Sequence, residues 1–260
     1  NIARTAILKA NFPEHIPGMQ INRFCSSGLD AMNLLAYKIM AKQAGLCIAS
    51  GIECMSRVPI LADGGALVTD PSIVYKHNII PQGISADLIA TLNSYSRNQL
   101  DEYAFMSQQR AKKAVDKNHL KSIIPIRDTL GEIVISEDEY PRPKTTLKDL
   151  SSLKPSFQLM GELGGFDALA IYKYPSIEKV IHMHHAGNSS GIVDGAAAIL
   201  LSNKAMINKH GLIPKAKIIS TAQVGIDPTI MLTGPIQAAQ AALRRAKLNV
   251  SDIDLWEINE

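Results

Sequence analysis

Asn22-Arg23-Phe24-Cys25-Ser26-Ser27-Gly28-Leu29 decides how the chain reads. Met19-Gln20-Ile21 leads in as a short apolar run, and behind it apolar residues recur at Ala31, Leu34, Leu35, Ile39 and Met40. That spacing is helical. A strand over 18–24 feeding a helix over 26–44, ended by Gly45, is expected, with Cys25 at or just before the helix N-terminus. Unpaired backbone N–H groups and the positive end of the helix dipole gather at such a point. They favour a thiolate, the form that attacks carbonyl carbon, and they are able to hold a developing oxyanion. An acyl-transfer nucleophile needs this arrangement. A buried structural cysteine fits the same pattern, and the residues by themselves leave both readings open.

Outward from this stretch, residues 2–10 read as a helix and Leu46-Cys47-Ile48-Ala49 as a compact buried strand. The alternation predicts an α/β fold with a mostly parallel sheet. Residues 55–185 change character, punctuated by Pro59, Gly64, Gly65, Pro71, Pro81 and Gly83. A helix is expected over 98–117, and short strands over 123–126 and 133–135. Tyr140-Pro141-Arg142-Pro143 and Lys154-Pro155 mark extended loop. From 186 the α/β rhythm returns: a buried strand over 196–201 after an Asp194-Gly195 turn, a helix over 204–210 closed by Gly211, a strand over 216–222, a helix over 235–246 and a strand opening at 254–258.

Bulk properties exclude several function classes. The 260 residues are 46% hydrophobic and 20% charged, ordinary for a globular protein with a sizeable core. A net charge of +3 without aromatic–basic interleaving gives no case for nucleic acid. No apolar run approaches the roughly 18 residues of a membrane span, and residues 1–5 lack the apolar core of a signal peptide. Cys25, Cys47 and Cys54 form no paired spacing, so neither a zinc ribbon nor a disulfide framework is expected, and a reducing, cytoplasmic compartment is the simpler reading. His182, His184 and His185 cluster, with His182 and His184 on one face if the backbone is extended. They read as solvated or structural rather than metal-binding, and His77, His119 and His210 as surface residues.

The motifs together resemble the thiolases, the acyl-CoA acyltransferases that cleave or form 3-ketoacyl-CoA. Asn22 to Leu29 looks like the family's acyl-nucleophile motif, and Ala49-Ser50-Gly51-Ile52-Glu53-Cys54-Met55-Ser56-Arg57-Val58-Pro59 follows at the family's distance. His185-Ala186-Gly187-Asn188-Ser189-Ser190-Gly191-Ile192-Val193-Asp194-Gly195 is similar to its second glycine-rich signature, and Glu257-Ile258-Asn259-Glu260 to the opening of its Asn-Glu-Ala-Phe block. The resemblance covers essentially the whole chain. It implies a thiolase-like α/β fold with two similar core domains, 1–54 and 186–260, both incomplete, and an inserted loop domain, 55–185, covering the active site.

The resemblance also assigns roles. Cys25 takes the acyl group from 3-ketoacyl-CoA, with its own N–H as an oxyanion donor, and passes it to CoA in a ping-pong reaction. Asn259 holds a water that stabilises the thioester oxyanion; a strand-end turn is the plainer reading of that residue. Ala186, Ser190 and Gly191 meet the pantetheine arm, whereas Gly187, Asp194 and Gly195 serve the tight turn. Gln82-Gly83 stands where many thiolases carry a methionine-glycine pair lining the acyl pocket. Coenzyme A is implied as a substrate, with no bound cofactor and no metal, and the partners are acyl-CoA, CoA and further copies in a homodimer or homotetramer. The length from Gly165 to His185 points to the degradative branch, with longer or bulkier acyl chains. Biosynthetic acetoacetyl-CoA formation and a non-catalytic acyl-CoA or lipid carrier are the alternatives. The family's Gly-His-Pro histidine and Cys-x-Gly cysteine have no match here, and Cys47 and Cys54 read as structural. The resemblance therefore implies an internal piece of a thiolase that does not turn over alone.

Overall fold

Chain order in the computed structural model, which describes residues 1–259, begins with α1 (Ile2–Lys9), α2 (Ser27–Met40) and β1 (Leu46–Cys54). The middle of the chain forms α3 (Ala66–Thr69), α4 (Pro71–His77), α5 (Gln82–Leu92), α6 (Arg97–Asp116), β2 (Ile126–Arg127), β3 (Ile133–Ile135), α7 (Leu147–Ser151), α8 (Gln158–Gly164) and α9 (Phe166–Lys173). It closes with β4 (Asp194–Ser202), α10 (Lys204–His210), α11 (Gly234–Ala246) and a 3₁₀ turn at Val250–Asp252. Two units result. Residues 1–59 and 193–221 form the first; residues 60–192 and the chain from Ala222 form the second. No helix among the described residues is long and apolar enough to cross a membrane.

The sheet of the first unit is antiparallel, not parallel. β1 and β4 pair from Leu46↔Ser202 to Cys54↔Asp194 without a break. Side chains alternate along a strand. Gly28 at the start of α2 approaches Gly51 so closely that a Cβ on Gly51 would lie 3.4 Å from the Gly28 Cα. Small residues therefore let the helix lie down on the sheet. Ala49, on the same face, is buried, while Ile48, Ile52, Ile199 and Leu200 stay exposed. The two strands are thus less buried than their apolar composition predicts. β4 starts at Asp194, so the expected Asp194-Gly195 turn is replaced by the first ladder pair.

No strand forms over 18–24. Backbone acceptors at and just before its start are taken by the N-cap and first turn of α1. Asn1 Nδ2 donates to the Gly18 carbonyl at 2.9 Å, and the Arg4 guanidinium donates to the carbonyls of Ile16 (2.5 Å) and Glu14 (2.8 Å). β2 starts only at Ile126, because Pro125 has no N–H to offer a ladder. Among the described residues, 216–222 and 254–258 form no strand. The helices expected at 2–10, 98–117, 204–210 and 235–246 are present with ends shifted by one residue or fewer.

The second unit is organised around α5. Ile80, Ile84, Leu88, Ala170 and Val180 make its core, with Phe157, Phe166, Leu169 and Tyr174 packed against them. Ile84 and Leu88 are one helical turn apart, so they project from one face. The Phe157 ring lies flush on the first turn of α5, where a Cβ on Gly83 would sit 2.3 Å from it. Residues after 222 are tied in by polar bonds: Ser85 Oγ donates to the Thr229 carbonyl at 2.7 Å, and the Tyr174 hydroxyl to Asp227 at 3.1 Å. Burial, then the bond to and charge of Asp227, push the Tyr174 hydroxyl up to about 12. Gly83→Ala is expected to destabilise the protein by about 1–3 kcal/mol, an overpacking cost. Gly225→Ala, into open space, should stay within about 0.5 kcal/mol. Urea midpoints of the two variants check this; equal midpoints would remove the Phe157 contact from the account.

Candidate active site

Cys25 lies one residue before Ser26, the N-cap of α2, and is exposed. The backbone reaches it through a residue in a rare conformation. Phe24 has φ of +50°, a left-handed geometry that costs a bulky residue about 1–3 kcal/mol and persists only when its surroundings impose it. Here they do. The Phe24 N–H donates to Asn22 Oδ1 at 2.9 Å. Its carbonyl accepts from the Ser27 hydroxyl at 2.6 Å and from the Ser27 N–H at 3.0 Å. The same hydroxyl accepts the Arg23 N–H at 2.8 Å, and Ser26 N–H donates to the Arg23 carbonyl at 3.2 Å. One turn into α2, the buried Asp30 pairs with the Arg23 guanidinium at 2.5 Å. The whole approach to the thiol is therefore tied to the first turn of the helix behind it.

The other two cysteines sit differently. Burial pushes the Cys47 thiol up, against a smaller opposing pull from Lys38. Cys54 donates to Asp194 at 3.7 Å, while Asp194 also accepts the Ser56 hydroxyl at 2.5 Å and the Ser56 N–H at 2.9 Å. Those two bonds, the hydroxyl first, hold the Asp194 carboxyl below its usual range.

In the second unit the segment 181–189 is folded around two buried carboxylates. Asp87, on α5, is wholly buried. Its Oδ1 accepts the N–H groups of Met183 and His184, each at 2.9 Å, and His184 Nδ1 at 2.7 Å; Oδ2 accepts His182 Nδ1 at 2.8 Å. His182 Nε2 donates to Asp167 at 3.0 Å. Both nitrogens of this ring face carboxylates, an arrangement that favours the protonated ring. Burial pushes His182 down, but its bonds to Asp167 and Asp87 and their charges outweigh it and raise it. Burial pushes Asp87 up, and its four donors outweigh that and lower it.

His185 is the opposite case. Its Nε2 donates to the buried Asp101 at 2.8 Å and its Nδ1 accepts the Gly187 N–H at 3.0 Å, which fixes a neutral ring. Burial is the largest cause, and it holds His185 below its ordinary value; Asp101 opposes this and the Arg97 charge adds to it. Asp101 also accepts Asn188 Nδ2 at 3.0 Å and Arg97 Nε at 2.8 Å, and Arg97 donates onward to the carbonyls of Leu150 and Leu153.

These ties shape a cavity of about 270 Å³ whose wall includes Gln108, Tyr140, Arg142, Leu153, Ala186 and Ser189. The Arg142 guanidinium stacks on the Tyr140 ring, 5.3 Å from its centre. Gly191 admits that ring, since a Cβ there would lie 2.3 Å from it; likewise a Cβ on Gly187 would lie 2.6 Å from Leu150. Two glycines of the signature are thus required by packing. Ala186 forms part of the wall, and Ser189 contributes to it beside the exposed Ser190. Gln82 opens α5 and is exposed. Asn259 is exposed, and Glu260, the end of its motif, lies outside the described residues. Among the described residues no group of three or more His, Cys, Asp or Glu is arranged to hold a metal ion. Asp87, Asp101, Arg97 and Arg142 escaped sequence reasoning. The signal for the first was present: an aspartate on the apolar stripe Ile84, Leu88 of a helix must find donors if it is buried.

Imidazole ring signals followed by NMR should titrate above about 6.5 for His182 and below it for His185. His182 is raised, so its contribution to stability is full below about 6.5 and fades as pH rises through the raised value. Asp87 is lowered, so its contribution is full above about 3.9 and fades as pH falls through the lowered value. Asp87→Asn should cost about 3 kcal/mol at neutral pH, because it leaves the His182 charge short of a partner. A His182 midpoint at or below that of His185 would contradict the assignment.

Comparison with known proteins places these features in one family. The model described as "Thiolase, N-terminal domain" matches residues 1–171, and "Thiolase, C-terminal domain" matches 212–260. A β-ketoadipyl-CoA thiolase of Pseudomonas aeruginosa is 36% identical over the whole chain, which spans 64% of that relative's length. A 3-ketoacyl-CoA thiolase of Cronobacter sakazakii is 35% identical, again over the whole chain and 63% of the relative. The crystal structure of the dimeric peroxisomal thiolase of Saccharomyces cerevisiae superposes with a TM-score of 0.81 at 33% identity, over 99% of this chain and 61% of that one. Human mitochondrial 3-ketoacyl-CoA thiolase in complex with CoA gives 0.76 at 30% identity, over 97% and 61%. The fold is the α/β thiolase fold, and the chain belongs to the thiolase family.

Proposed function

We propose that Cys25 is the acyl-accepting nucleophile of a degradative 3-ketoacyl-CoA thiolase. The observation that carries this reading is the placement of an exposed thiol just ahead of a 14-residue helix, on a loop locked by the first turn of that helix. In the proposed reaction the Cys25 thiolate bonds to the 3-keto carbon and the bond between carbons 2 and 3 breaks. The electron pair left on carbon 2 takes a proton, giving acetyl-CoA. The thiol of a second CoA then attacks the acyl-Cys25 carbonyl, loses its proton to balance the one taken up, and leaves as the shortened acyl-CoA while the Cys25 thiolate is regenerated. Asn259 is assigned to the thioester oxyanion through a held water. CoA enters as a substrate, and no bound cofactor or metal is needed.

The cavity beside Ala186 is the proposed seat of CoA; Ser190 and Gly191 are assigned to the pantetheine arm and Gln82 to the acyl pocket by their place in the family motifs. Its supports are size, small residues that admit a thin arm, and a guanidinium in the wall able to pair with phosphate. The names of the relatives favour 3-ketoacyl chains, linear or carboxylated, over acetoacetyl-CoA synthesis. The whole protein is proposed to be a homodimer or a homotetramer in the cytoplasm, a compartment that suits three unpaired cysteines.

In the whole protein carrying this chain, iodoacetamide should label Cys25 before Cys47 and Cys54, and Cys25→Ser should lower turnover by several orders of magnitude. Peptide mapping that finds Cys47 or Cys54 labelled first, or a Ser variant that still cleaves 3-ketoacyl-CoA, would sink the assignment and leave the carrier reading. Arg142→Ala should raise KM for CoA about tenfold with kcat nearly unchanged, the mark of a lost uniform binding contact. Equal KM values in steady-state assays would move the phosphate site away from Arg142.

A further inference from the structure

Three hydrogen bonds converge on Phe24 rather than on Cys25 itself. Ser27 is the residue that reaches both sides of the turn: its hydroxyl donates to the Phe24 carbonyl at 2.6 Å and accepts the Arg23 N–H at 2.8 Å. A single hydroxyl thus uses its donor and an acceptor position to close the loop, with no proton left over for chemistry. Phe24 is 57% exposed, so ring burial does not hold it in the left-handed region; the hydrogen bonds do. Asn22 and the Arg23–Asp30 pair brace the outside of the loop. The backbone direction at Phe24 sets where the next residue starts, and the next residue is Cys25.

We propose that Ser27 is a positioning residue for acylation: its hydroxyl pins Phe24 in the left-handed conformation and so aims Cys25 at the 3-keto carbon. This rests on the acyl-transfer reading given above. Ser27 touches neither substrate nor reacting atoms in this scheme and acts only through the backbone. Misdirecting a nucleophile by about 1 Å costs roughly 100-fold in rate. Ser27→Ala should therefore slow single-turnover acylation roughly 100-fold, while KM for CoA changes little. Ser27→Thr, which keeps the hydroxyl, should retain most of the rate. The decisive variant is the double one. Glycine takes positive φ without strain, so Phe24→Gly in the Ser27→Ala background relieves the need for the pin and should recover at least about tenfold of the lost rate.

The measurement is rapid quenching of the whole protein with 3-ketoacyl-CoA in the absence of CoA, followed by mass analysis of the peptide containing Cys25. Circular dichroism melts of each variant run alongside. Recovery in the double variant, without a matching recovery in melting temperature, supports positioning. A double variant no faster than Ser27→Ala, a Ser27→Ala protein within twofold of the parent, or a rate that simply follows melting temperature overturns it. If the unsubstituted protein forms no acyl-Cys25 at all, the acyl-transfer reading falls and takes this proposal with it. If it acylates and Ser27→Ala acylates equally well, only the proposal falls.

Discussion

Asp87 gathers four donors on one buried carboxylate: two backbone N–H groups and two imidazoles. A lone ionised carboxylate in that position would be prohibitive. Fully bonded, it becomes the point from which the geometry of the second unit is measured. It fixes the direction of 181–185 relative to α5, and Asp101 does the same one helix later for 185–188. Between them they deliver Ala186 and Ser189 to the cavity wall. Low dielectric makes such a network strong when satisfied and costly when any member is lost. Asp167 shows how fine the balance is: one of its oxygens serves His182 while the other is buried without a hydrogen-bond partner.

The first unit achieves the same end with cheaper parts. Its loop is held by a serine hydroxyl, an asparagine side chain and one ion pair at the surface edge, and its helix meets its sheet through two glycines. The two units thus represent two ways of holding a chain segment in place. One uses buried charge around a wall that must keep its shape. The other uses local side chain to backbone bonds, which direct a short turn without burying anything large.

Much of this was legible in the residues. The helix behind Cys25 followed from the spacing of Ala31, Leu34, Leu35 and Ile39, and the helices at 98–117, 204–210 and 235–246 from similar periodicity, because helical period is a local property. Strands were read less well. Whether 46–54 and 194–202 run parallel or antiparallel depends on which partner each meets, and nothing within either segment states it. The run 18–24 looked like a strand because apolar residues cluster there, but Arg4 and Asn1 take the acceptors of the neighbouring backbone. The histidine cluster was read as solvated or structural, and its partners decide for structural: His182 meets Asp87 and Asp167, and His185 meets Asp101. Those partners lie 15 to 95 positions away, a separation no motif spans. The signature around Ala186 pointed to a ligand wall, whereas the demand of Tyr140 and Leu150 for bare glycine at 191 and 187 came only from packing.

The pairing of β1 with β4 also governs the order of events during synthesis. Cys54 faces Asp194 across 140 positions of chain. At ribosomal speeds of about 5–20 residues per second, roughly ten seconds separate the emergence of the two. Over that interval β1 has no strand to pair with, while the residues that build the α5 core are already out as far as Val180. The intervening segment is therefore able to collapse first and draw the ends of the long loop together, which lessens the closure entropy β4 must overcome. The Cys25 loop and α2 therefore gain the second strand of their sheet only after residues 60–192 have been made.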